Sequence, residues 1–213
     1  MNPSSHDGFN EIHSNRDRLR DFLRAVSARS LPGIRAMATK FPWEGYRTLL
    51  DVGTAEGALP VEIARAHPHL SCAGFDLPAC RPFFEAYVRT HGVSDRTRFI
   101  AGDFFKDPLP PADVITMGHI LREWNLEKRR QLIAKSHAAL PEGGSLVVRE
   151  ALLEEDRHRN AFALLIGMTP RPRTTGKFDC AAEDYRAWME EAGFRETCVE
   201  SLAGADSMVI GIK

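Results

Sequence analysis

The spacing of the apolar residues changes once along this chain, near residue 48. Residues 1–15 are polar and have no period, and we expect them to form a flexible tail. Beyond them, Leu19, Leu23 and Val26 recur three or four positions apart, which predicts a helix with one buried face. From residue 48 onward the period shortens, and the pattern becomes that of strands and helices in alternation.

Pro32 and Gly33 interrupt the helical pattern. A proline inside a helix removes a backbone donor, so we expect the first helix to end there and a second, short helix to cover residues 34–40. Residues 16–47 are therefore interpreted as linking helices, and residues 48–213 as the main domain.

Short apolar runs alternate with amphipathic segments through the middle of the chain. This alternation predicts an α/β fold, in which a doubly wound, mostly parallel sheet is covered by helices on both faces. The predicted strands cover residues 48–52, 71–75, 98–101, 114–117 and 145–152, and the predicted helices cover residues 58–66, 79–91 and 126–140.

The last third of the chain departs from this alternation. A helix is predicted over residues 159–167, followed by a loop over 169–177 and a further helix around Tyr185. Two strands, 195–201 and 207–213, then follow each other with only a short turn between them. Because strands joined in this way are antiparallel, we expect the sheet to end in an antiparallel strand.

Composition narrows the class of protein. The 213 residues are 43% hydrophobic and include 28 basic and 29 acidic side chains, with no excess of one charge that would attract nucleic acid or an anionic membrane. No apolar run approaches the ~20 residues needed to cross a bilayer, and the first residues do not resemble a signal peptide. The four cysteines form no Cys-x-x-Cys pair, so no metal site is expected. We expect a cytoplasmic protein whose partner is a small molecule.

Three motifs fall where predicted parallel strands end, which is where open α/β sheets bind their ligands. The first is the turn of residues 51–57, whose two glycines let a ligand approach the backbone. The second is Asp76, a carboxylate that can accept hydrogen bonds from both hydroxyls of a ribose. The third is Asp103 with its aromatic neighbour Phe104, a pair suited to gripping an adenine.

Each motif also has an ordinary structural interpretation. A Gly-x-x-x-Gly turn often joins a strand to a helix, and Asp76 could cap the helix that follows it. Their order and their shared edge favour a nucleoside site. A dinucleotide is disfavoured, because Ala55 stands where its fingerprint has the second glycine and Glu56 adds a negative charge near the phosphates. S-adenosylmethionine, a nucleoside without phosphates, fits this turn better.

Taken in order, the segments LLDVGTAEG, GFDLP, AGDFF, ADVITMGHIL, LPEGGSLVVRE and EEAGFRE resemble the class I S-adenosylmethionine-dependent O-methyltransferases. Within them the chain is similar to the small-molecule group that includes hydroxyindole, caffeate and polyketide O-methyltransferases. The resemblance covers about residues 16–213 and implies a Rossmann-like sheet of seven strands with an antiparallel last strand, and S-adenosyl-L-methionine as cofactor. The expected cofactor-binding residues are Asp51, Gly53, Gly57, Asp76, Leu77, Asp103, Phe104 and Met117.

The chain departs from this family's pattern in two places. The first is at its start. Family members usually carry an additional N-terminal helical domain that dimerises and closes one wall of the substrate pocket, whereas this chain begins close to the catalytic domain. The pocket is therefore expected to be open or the dimer contact to be lost, and the question of a homodimer stays open.

The second departure concerns the general base. The family pattern after the fourth strand is His-Asp-Trp, in which the histidine deprotonates the acceptor hydroxyl, and here Arg122 stands at the histidine position. A guanidinium stays protonated at working pH, so Arg122 cannot accept a proton. The acids that support the base in the family, Glu150 and Asp179 by resemblance, would form an ion cluster with Arg122. Glu123 replaces the family's aspartate and could contact substrate or position Arg122.

His119 lies three positions before Arg122 and either replaces the missing base or only packs beneath the cofactor. A base is not required where the acceptor is already an anion, and Arg122 could attract such an anion. The resemblance implies an O-methyltransferase acting on a phenolic or polyketide-like hydroxyl, with Arg122, His119, Glu150 and Asp179 as catalytic candidates. The alternative is a catalytically impaired partner that binds the cofactor or dimerises. A nicotinamide oxidoreductase is disfavoured by the missing glycine.

Overall fold

The structure, a computed structural model, describes residues 15–152 and 180–213. Its strands are β1 (Thr48–Val52), β2 (Ser71–Asp76), β3 (Thr97–Ala101), β4 (Val114–Gly118), β5 (Ser145–Ala151), β6 (Glu196–Ser201) and β7 (Asp206–Ile212). Its helices are α1 (Arg16–Lys40), α2 (Ala58–Ala66), α3 (Arg81–Thr90), α4 (Leu126–Ala139) and α5 (Ala182–Glu191), with 3-10 turns at Trp43–Gly45, Pro78–Cys80 and Leu121–Glu123.

The described strands form one seven-stranded sheet in the order β3-β2-β1-β4-β5-β7-β6. Neighbours are parallel from β3 to β5, whereas β7 is antiparallel to both β5 and β6. Side chains of a strand point alternately to the two faces, and Leu49 and Leu50 accordingly enter two different apolar cores. The predicted doubly wound sheet with an antiparallel last strand is confirmed.

The predicted helix break at Pro32 is wrong, because α1 is one helix of 25 residues. Its buried face continues past the proline through Gly33, Ile34 and Met37. Burial of this face outweighs the roughly 3 kcal/mol that an interior proline costs a helix. Gly33 has a packing role instead, since a Cβ there would lie 2.5 Å from Oδ2 of Asp206.

The other predicted elements within the described ranges are present, with ends that differ by a few residues. The helix predicted over residues 79–91 divides into the 3-10 turn Pro78–Cys80 and α3. The helix predicted over 159–167 and the loop over 169–177 lie outside the described residues, as does most of the predicted tail. Across the described ranges, no helix combines the length and apolarity that spanning a membrane would require.

One edge of the sheet concentrates the polar side chains. Because β1, β2, β4 and β5 are parallel, their carboxyl ends meet at this edge. The antiparallel β7 begins there, so that Asp206 pairs with Ala151 at the end of β5. Helix α1 packs against α2 and β7 and brings Gly33 close to Asp206. The fold thus places four strand ends, the start of β7 and one helix at the same edge of the sheet.

Candidate functional site

The turn after β1 has a strained backbone. Gly53, Ala55 and Gly57 have positive φ angles of 73°, 56° and 92°, a conformation that costs a residue with a side chain roughly 1–2 kcal/mol. The main-chain N–H of Gly53 donates to the carbonyl of Phe75 at 2.8 Å, which joins the turn to β2. A Cβ at Gly57 would lie 2.7 Å from the ring of Phe84. Gly57 therefore makes room for Phe84, a role that the sequence did not suggest.

Asp76 ties this turn to the end of β2. Its Oδ2 accepts a hydrogen bond from the main-chain N–H of Ala55 at 2.9 Å, and its Oδ1 accepts one from that of Leu77 at 2.7 Å. Burial raises the pKa of Asp76, and these two backbone bonds oppose the rise. The thiol of Cys80 also donates to this carboxylate, which has about four acceptor sites, so Asp76 can still accept a hydrogen bond from a hydroxyl.

Asp51 is the penultimate residue of β1. Its buried carboxylate has a hydroxyl as hydrogen-bond partner. Oγ1 of Thr116 on β4 donates to Oδ1 of Asp51 at 2.8 Å. Burial raises the pKa of Asp51 to about 6, although the Thr116 bond and the charge of Arg149 oppose this. As a result of these opposing effects, the carboxyl of Asp51 changes between its protonated and ionised forms near pH 6.

The loop after β3 presents Asp103 in its charged form. Its Oδ1 accepts from the main-chain N–H of Phe105 at 2.9 Å, and its Oδ2 lies 3.0 Å from Nζ of Lys106. Desolvation tends to raise the pKa of Asp103, but these contacts hold it below the usual value. The side chain is 28% exposed, so it can reach a ligand.

Phe104 lies in an aromatic group beside Asp103. Its ring centroid is 4.8 Å from that of Phe105 and 6.1 Å from that of Trp124. Nζ of Lys135 on α4 donates to the carbonyls of Phe104 and Asp107, which anchors the loop on that helix. The acid and the aromatic ring therefore occupy a fixed loop at the same sheet edge as Asp76.

Arg122 lies on the turn Leu121–Glu123, between β4 and α4. Its main-chain N–H donates to Oε1 of Glu150 at 3.2 Å, and Glu150 is only 1% exposed. The structure thus brings Arg122 and Glu150 together through the backbone of Arg122. Asp179 lies outside the described residues, and the ion cluster expected around Arg122 stays a prediction.

A second arginine, Arg129 of α4, fixes the turn that carries Arg122. Its buried guanidinium donates to the carbonyl of Leu121 at 2.9 Å and to that of Arg122 at 3.3 Å. It also donates to Sγ of Cys180 at 2.7 Å. Arg129 was not predicted as a site residue, although a charged side chain at a core position of a predicted helix could have indicated it.

His119 follows β4 and has a positive φ of 57°. Its Nδ1 lies 3.3 Å from Oε2 of Glu150, and its Nε2 lies 2.8 Å from Nη1 of Arg149 and 3.4 Å from Oδ2 of Asp206. Burial lowers the pKa of His119, but the bonds to Asp206 and Glu150 outweigh this and raise it. Because both ring nitrogens contact other side chains, the geometry favours the packing interpretation of His119 over the base.

Arg149 and Asp206 complete this buried cluster, and neither was selected from the sequence. Arg149 is 3% exposed, and its Nη1 donates to Oδ2 of Asp206 at 2.5 Å. A Cβ at Gly118 would lie 2.7 Å from Nη2 of Arg149, so the guanidinium rests against a glycine. The available signal was an arginine inside the apolar run of β5, next to Glu150.

A small cavity of about 30 Å³, open to solvent, lies between α1 and the ends of β1 and β4. Its wall combines apolar side chains, two serines of α1 and two buried groups of opposite charge. The lining residues are Val26, Ser27, Ser30, Ile34, Asp51, Gly53, Thr54, Ala55, Ala58, Leu59, Gly118 and Arg149.

The predicted cofactor-binding residues do not all reach this space. Asp51 and Gly53 line the cavity, and Asp76 lies behind the turn that borders it. Leu77 is partly exposed and contributes its main-chain N–H to Asp76. Met117, by contrast, is fully buried in the core. Its contact with the cofactor stays a prediction.

Comparisons with known proteins match most of the chain. The O-methyltransferase domain family matches residues 6–195. The tetracenomycin polyketide synthesis 8-O-methyl transferase TcmO of Streptomyces glaucescens is 34% identical over 209 residues, 98% of this chain and 62% of that protein. The N,N-dimethyltransferase OxyT of Streptomyces rimosus is 38% identical over 179 residues, 83% of this chain and 52% of that protein.

A solved structure described as PigF with SAH shares the fold. It superimposes with a TM-score of 0.87 at 26% identity and covers 96% of this chain and 62% of its own. The chain spans 52–62% of the length of these relatives. The extent of these matches shows that the chain belongs to the family of O-methyltransferase domains.

Proposed function

We propose that this chain binds S-adenosyl-L-methionine and methylates a hydroxyl of a small phenolic or polyketide-like acceptor. The observation that carries the proposal is the position of Asp76. This partly buried carboxylate holds the strained turn after β1 beside the cavity and shares the sheet edge with Asp103. The acceptor class is supported by TcmO, whose name places it in polyketide synthesis.

The residues present fit this cofactor. The remaining acceptor site of Asp76 suits a ribose hydroxyl, and the charged, partly exposed Asp103 suits an adenine amino group. The cavity beside Gly53 is open to solvent and carries Asp51 and Arg149 in its wall, two charged groups that suit the amino-acid end of this cofactor. When bound, this cofactor supplies a methyl group on a positively charged sulfur, which keeps the electron pair of the broken C–S bond as the acceptor oxygen forms its new bond.

Arg122 determines whether the protein itself can remove the proton of the acceptor hydroxyl. Its guanidinium stays charged, so it cannot remove a proton, but it can hold an acceptor that has already lost its proton to water. Glu150 and Arg129 fix the backbone of Arg122, which sets where the side chain begins. Holding a pre-formed phenolate next to the methyl group then accelerates transfer by proximity and orientation.

Turnover on phenols of graded acidity tests this proposal. We expect acidic phenols to be methylated at rates that follow their ionisation with pH, and weakly acidic phenols to react slowly. Arg122→Ala should lower turnover on acidic phenols about tenfold, the loss expected for one charge-assisted contact. Arg130→Ala is the control, because Arg130 pairs with Glu191 away from the site, at 2.8 Å between Nε and Oε2.

The same variant can contradict this proposal. Unchanged turnover of Arg122→Ala on acidic phenols would contradict the anion-holding role of Arg122. Arg122→His should extend activity to less acidic phenols, because an imidazole can accept the proton. The panel should include an aromatic amine, since the relative OxyT is described as an N,N-dimethyltransferase.

Arg122 also supports a second candidate, a catalytically impaired chain that binds the cofactor or dimerises. The two candidates differ in one measurement. Calorimetric binding of S-adenosylhomocysteine, together with no turnover on any acceptor of the panel, would favour the impaired partner. Turnover on any acidic phenol would exclude it.

A further inference from the structure

We propose that Arg149 binds the carboxylate at the amino-acid end of the cofactor and thereby selects ligands that carry this group. The proposal rests on the proposed function, because it assigns one of the chain's own residues to the same cofactor. It is independent of Arg122 and of the identity of the acceptor.

The burial of Arg149 is the first step of the argument. Leu146, Val147 and Val148, which precede it on β5, are fully buried, and Arg149 itself is 3% exposed. A buried guanidinium is costly unless its donors are paired. Nε of Arg149 is buried without a hydrogen-bond partner among the described residues. An unmet buried donor of this kind is unfavourable, and a ligand that supplies an acceptor can remove this cost.

The contacts of the guanidinium show which edge is available. Nη1 donates to Asp206 and lies 2.8 Å from Nε2 of His119. The hydrogen bonds that the described residues make with this guanidinium therefore lie on Nη1. The edge formed by Nε and Nη2 remains, and a guanidinium binds a carboxylate best through two parallel N–H bonds. This edge lies over Gly118, where a Cβ would be 2.7 Å from Nη2 and 3.4 Å from Nε, and both Gly118 and Arg149 line the cavity.

Two glycines hold the guanidinium at the cavity wall. Any side chain at Gly118 would meet Nη2 of Arg149, and any side chain at Gly33 would meet Asp206. Both neighbours of the ion pair are thus residues without a Cβ, although they come from different elements, β4 and α1. The guanidinium of Arg149 fits in this space because the two neighbouring residues have no side chain.

The charges of the cavity match an amino acid. Asp51 and Arg149 line the same cavity and carry opposite charges when Asp51 is ionised. An amino acid end carries an ammonium and a carboxylate on one carbon, so the two walls are complementary to it. Asp206 limits the net charge of the wall without occupying the Nε edge, which makes it a positioning residue for Arg149.

The test compares two ligands that differ only in the carboxylate. Calorimetric titration of the full chain uses S-adenosylhomocysteine and S-adenosyl-3-thiopropylamine, its decarboxylated counterpart. We expect the wild-type chain to bind the carboxylate form at least about tenfold more tightly, the value of one charge-assisted pair. In Arg149→Met this preference should fall to about threefold or less, while affinity for the decarboxylated ligand changes by less than about threefold.

A matched variant controls for the loss of an arginine. Arg96 donates to the carbonyl of Ala64 and pairs with Asp95, far along the chain from the cavity-lining residues. Arg96→Met should leave the ligand preference unchanged. If Arg149→Met does not fold, Arg149→Lys serves instead. Its single ammonium keeps the charge but cannot form the two parallel bonds, so the preference should fall to about fivefold or less.

The outcomes separate this proposal from the proposed function. An unchanged preference in folded Arg149→Met would overturn the role of Arg149, and so would an equal loss of affinity for both ligands, which indicates a structural role. Failure of the folded wild-type chain to bind either ligand would overturn the cofactor site itself, and the role of Arg149 with it.

Discussion

Asp51 and Asp206 lie at the same sheet edge, but their carboxyl groups hold protons very differently. Burial raises the pKa of Asp51 to about 6, because its hydrogen-bond partners are hydroxyls, which offset the desolvation only in part. Burial acts on Asp206 too, but hydrogen bonds and charges of His119 and Arg149 hold its pKa below the usual value. The difference between two identical side chains comes from the partners that the fold gives them.

Asp51→Asn should alter how stability depends on pH. The carboxyl of Asp51 loses its proton near pH 3.8 in the unfolded chain and near pH 6 in the folded one. Between these values the folded state holds more protons, so the free energy of unfolding falls as pH rises. Asparagine cannot ionise, and above pH 6 the variant should be more stable by about 3 kcal/mol. Urea unfolding from pH 4 to pH 7.5 measures this difference.

Asp95→Asn is the control for this measurement. The side chain of Asp95 is 69% exposed, and a surface substitution of this kind should change stability by less than about 0.5 kcal/mol at every pH. If Asp51→Asn loses stability between pH 4 and pH 6 in parallel with the wild-type chain, another group causes the fall.

At the scale of elements, tertiary contacts keep α1 helical although its sequence contains a proline and a glycine in the middle. Pro32 is exposed and interrupts the helical hydrogen bonds, whereas Gly33 next to it is buried. These adjacent residues are both poor helix formers, but they contribute differently to the packing of α1. Pro32 makes no buried contact that the helix needs, and Gly33 makes the approach to Asp206 possible.

Pro32→Ala and Gly33→Ala should therefore change stability in opposite directions. Pro32→Ala restores a backbone donor and should raise the free energy of unfolding by about 1–3 kcal/mol. Gly33→Ala improves helix propensity, but its Cβ would lie 2.5 Å from Oδ2 of Asp206. Overpacking of this kind should lower the free energy by about 1–3 kcal/mol.

Urea unfolding of both variants measures these changes, with each variant as the control of the other. A stabilising Gly33→Ala would show that propensity outweighs packing at this position, and that α1 does not approach β7 as closely as the structure shows. A destabilising Pro32→Ala would show that the proline has a role in the folded chain beyond breaking one hydrogen bond.

At the scale of the whole molecule, residues 16–47 and the domain that follows share one core. Leu19, Ile34 and Met37 of α1 belong to the same apolar cluster as Leu49 of β1. The division at residue 48 stays a prediction, and so does a homodimer. Since α1 also contributes Ser27 and Ser30 to the cavity, occupation of the cavity should stabilise the helix and the sheet together.

Ligand binding should consequently raise the unfolding temperature of the whole chain. S-adenosylhomocysteine at a hundred times its Kd should add about 2.7 kcal/mol, which corresponds to roughly 5–10 °C for a chain of this size. NADH is the comparison ligand, because Ala55 and Glu56 disfavour a pyrophosphate at the turn. Thermal unfolding monitored by circular dichroism measures both. A shift with NADH and none with S-adenosylhomocysteine would contradict the assignment of the cofactor.

Local patterns carried enough information for the fold class and for part of the site. The change from a helical period to alternating strands and helices predicts the parallel sheet, and the short turn before β7 predicts its antiparallel end. Asp76 and Asp103 could be found because ligands bind where parallel strands end, and strand ends are visible in sequence. Each of these inferences depends on residues that are close together along the chain.

The buried cluster and the continuity of α1 were decided only by the tertiary structure. Arg149 lies 57 positions from Asp206 and 30 from His119, and no local period records that the fold pairs them. The same holds for Pro32, whose helix continues because distant side chains bury the face beyond it. Pairing and burial depend on distances between elements, which arise once the sheet is assembled. The sequence by itself therefore determined the fold class and indicated which strand ends form the candidate site, and the assembled sheet decided which charges meet there.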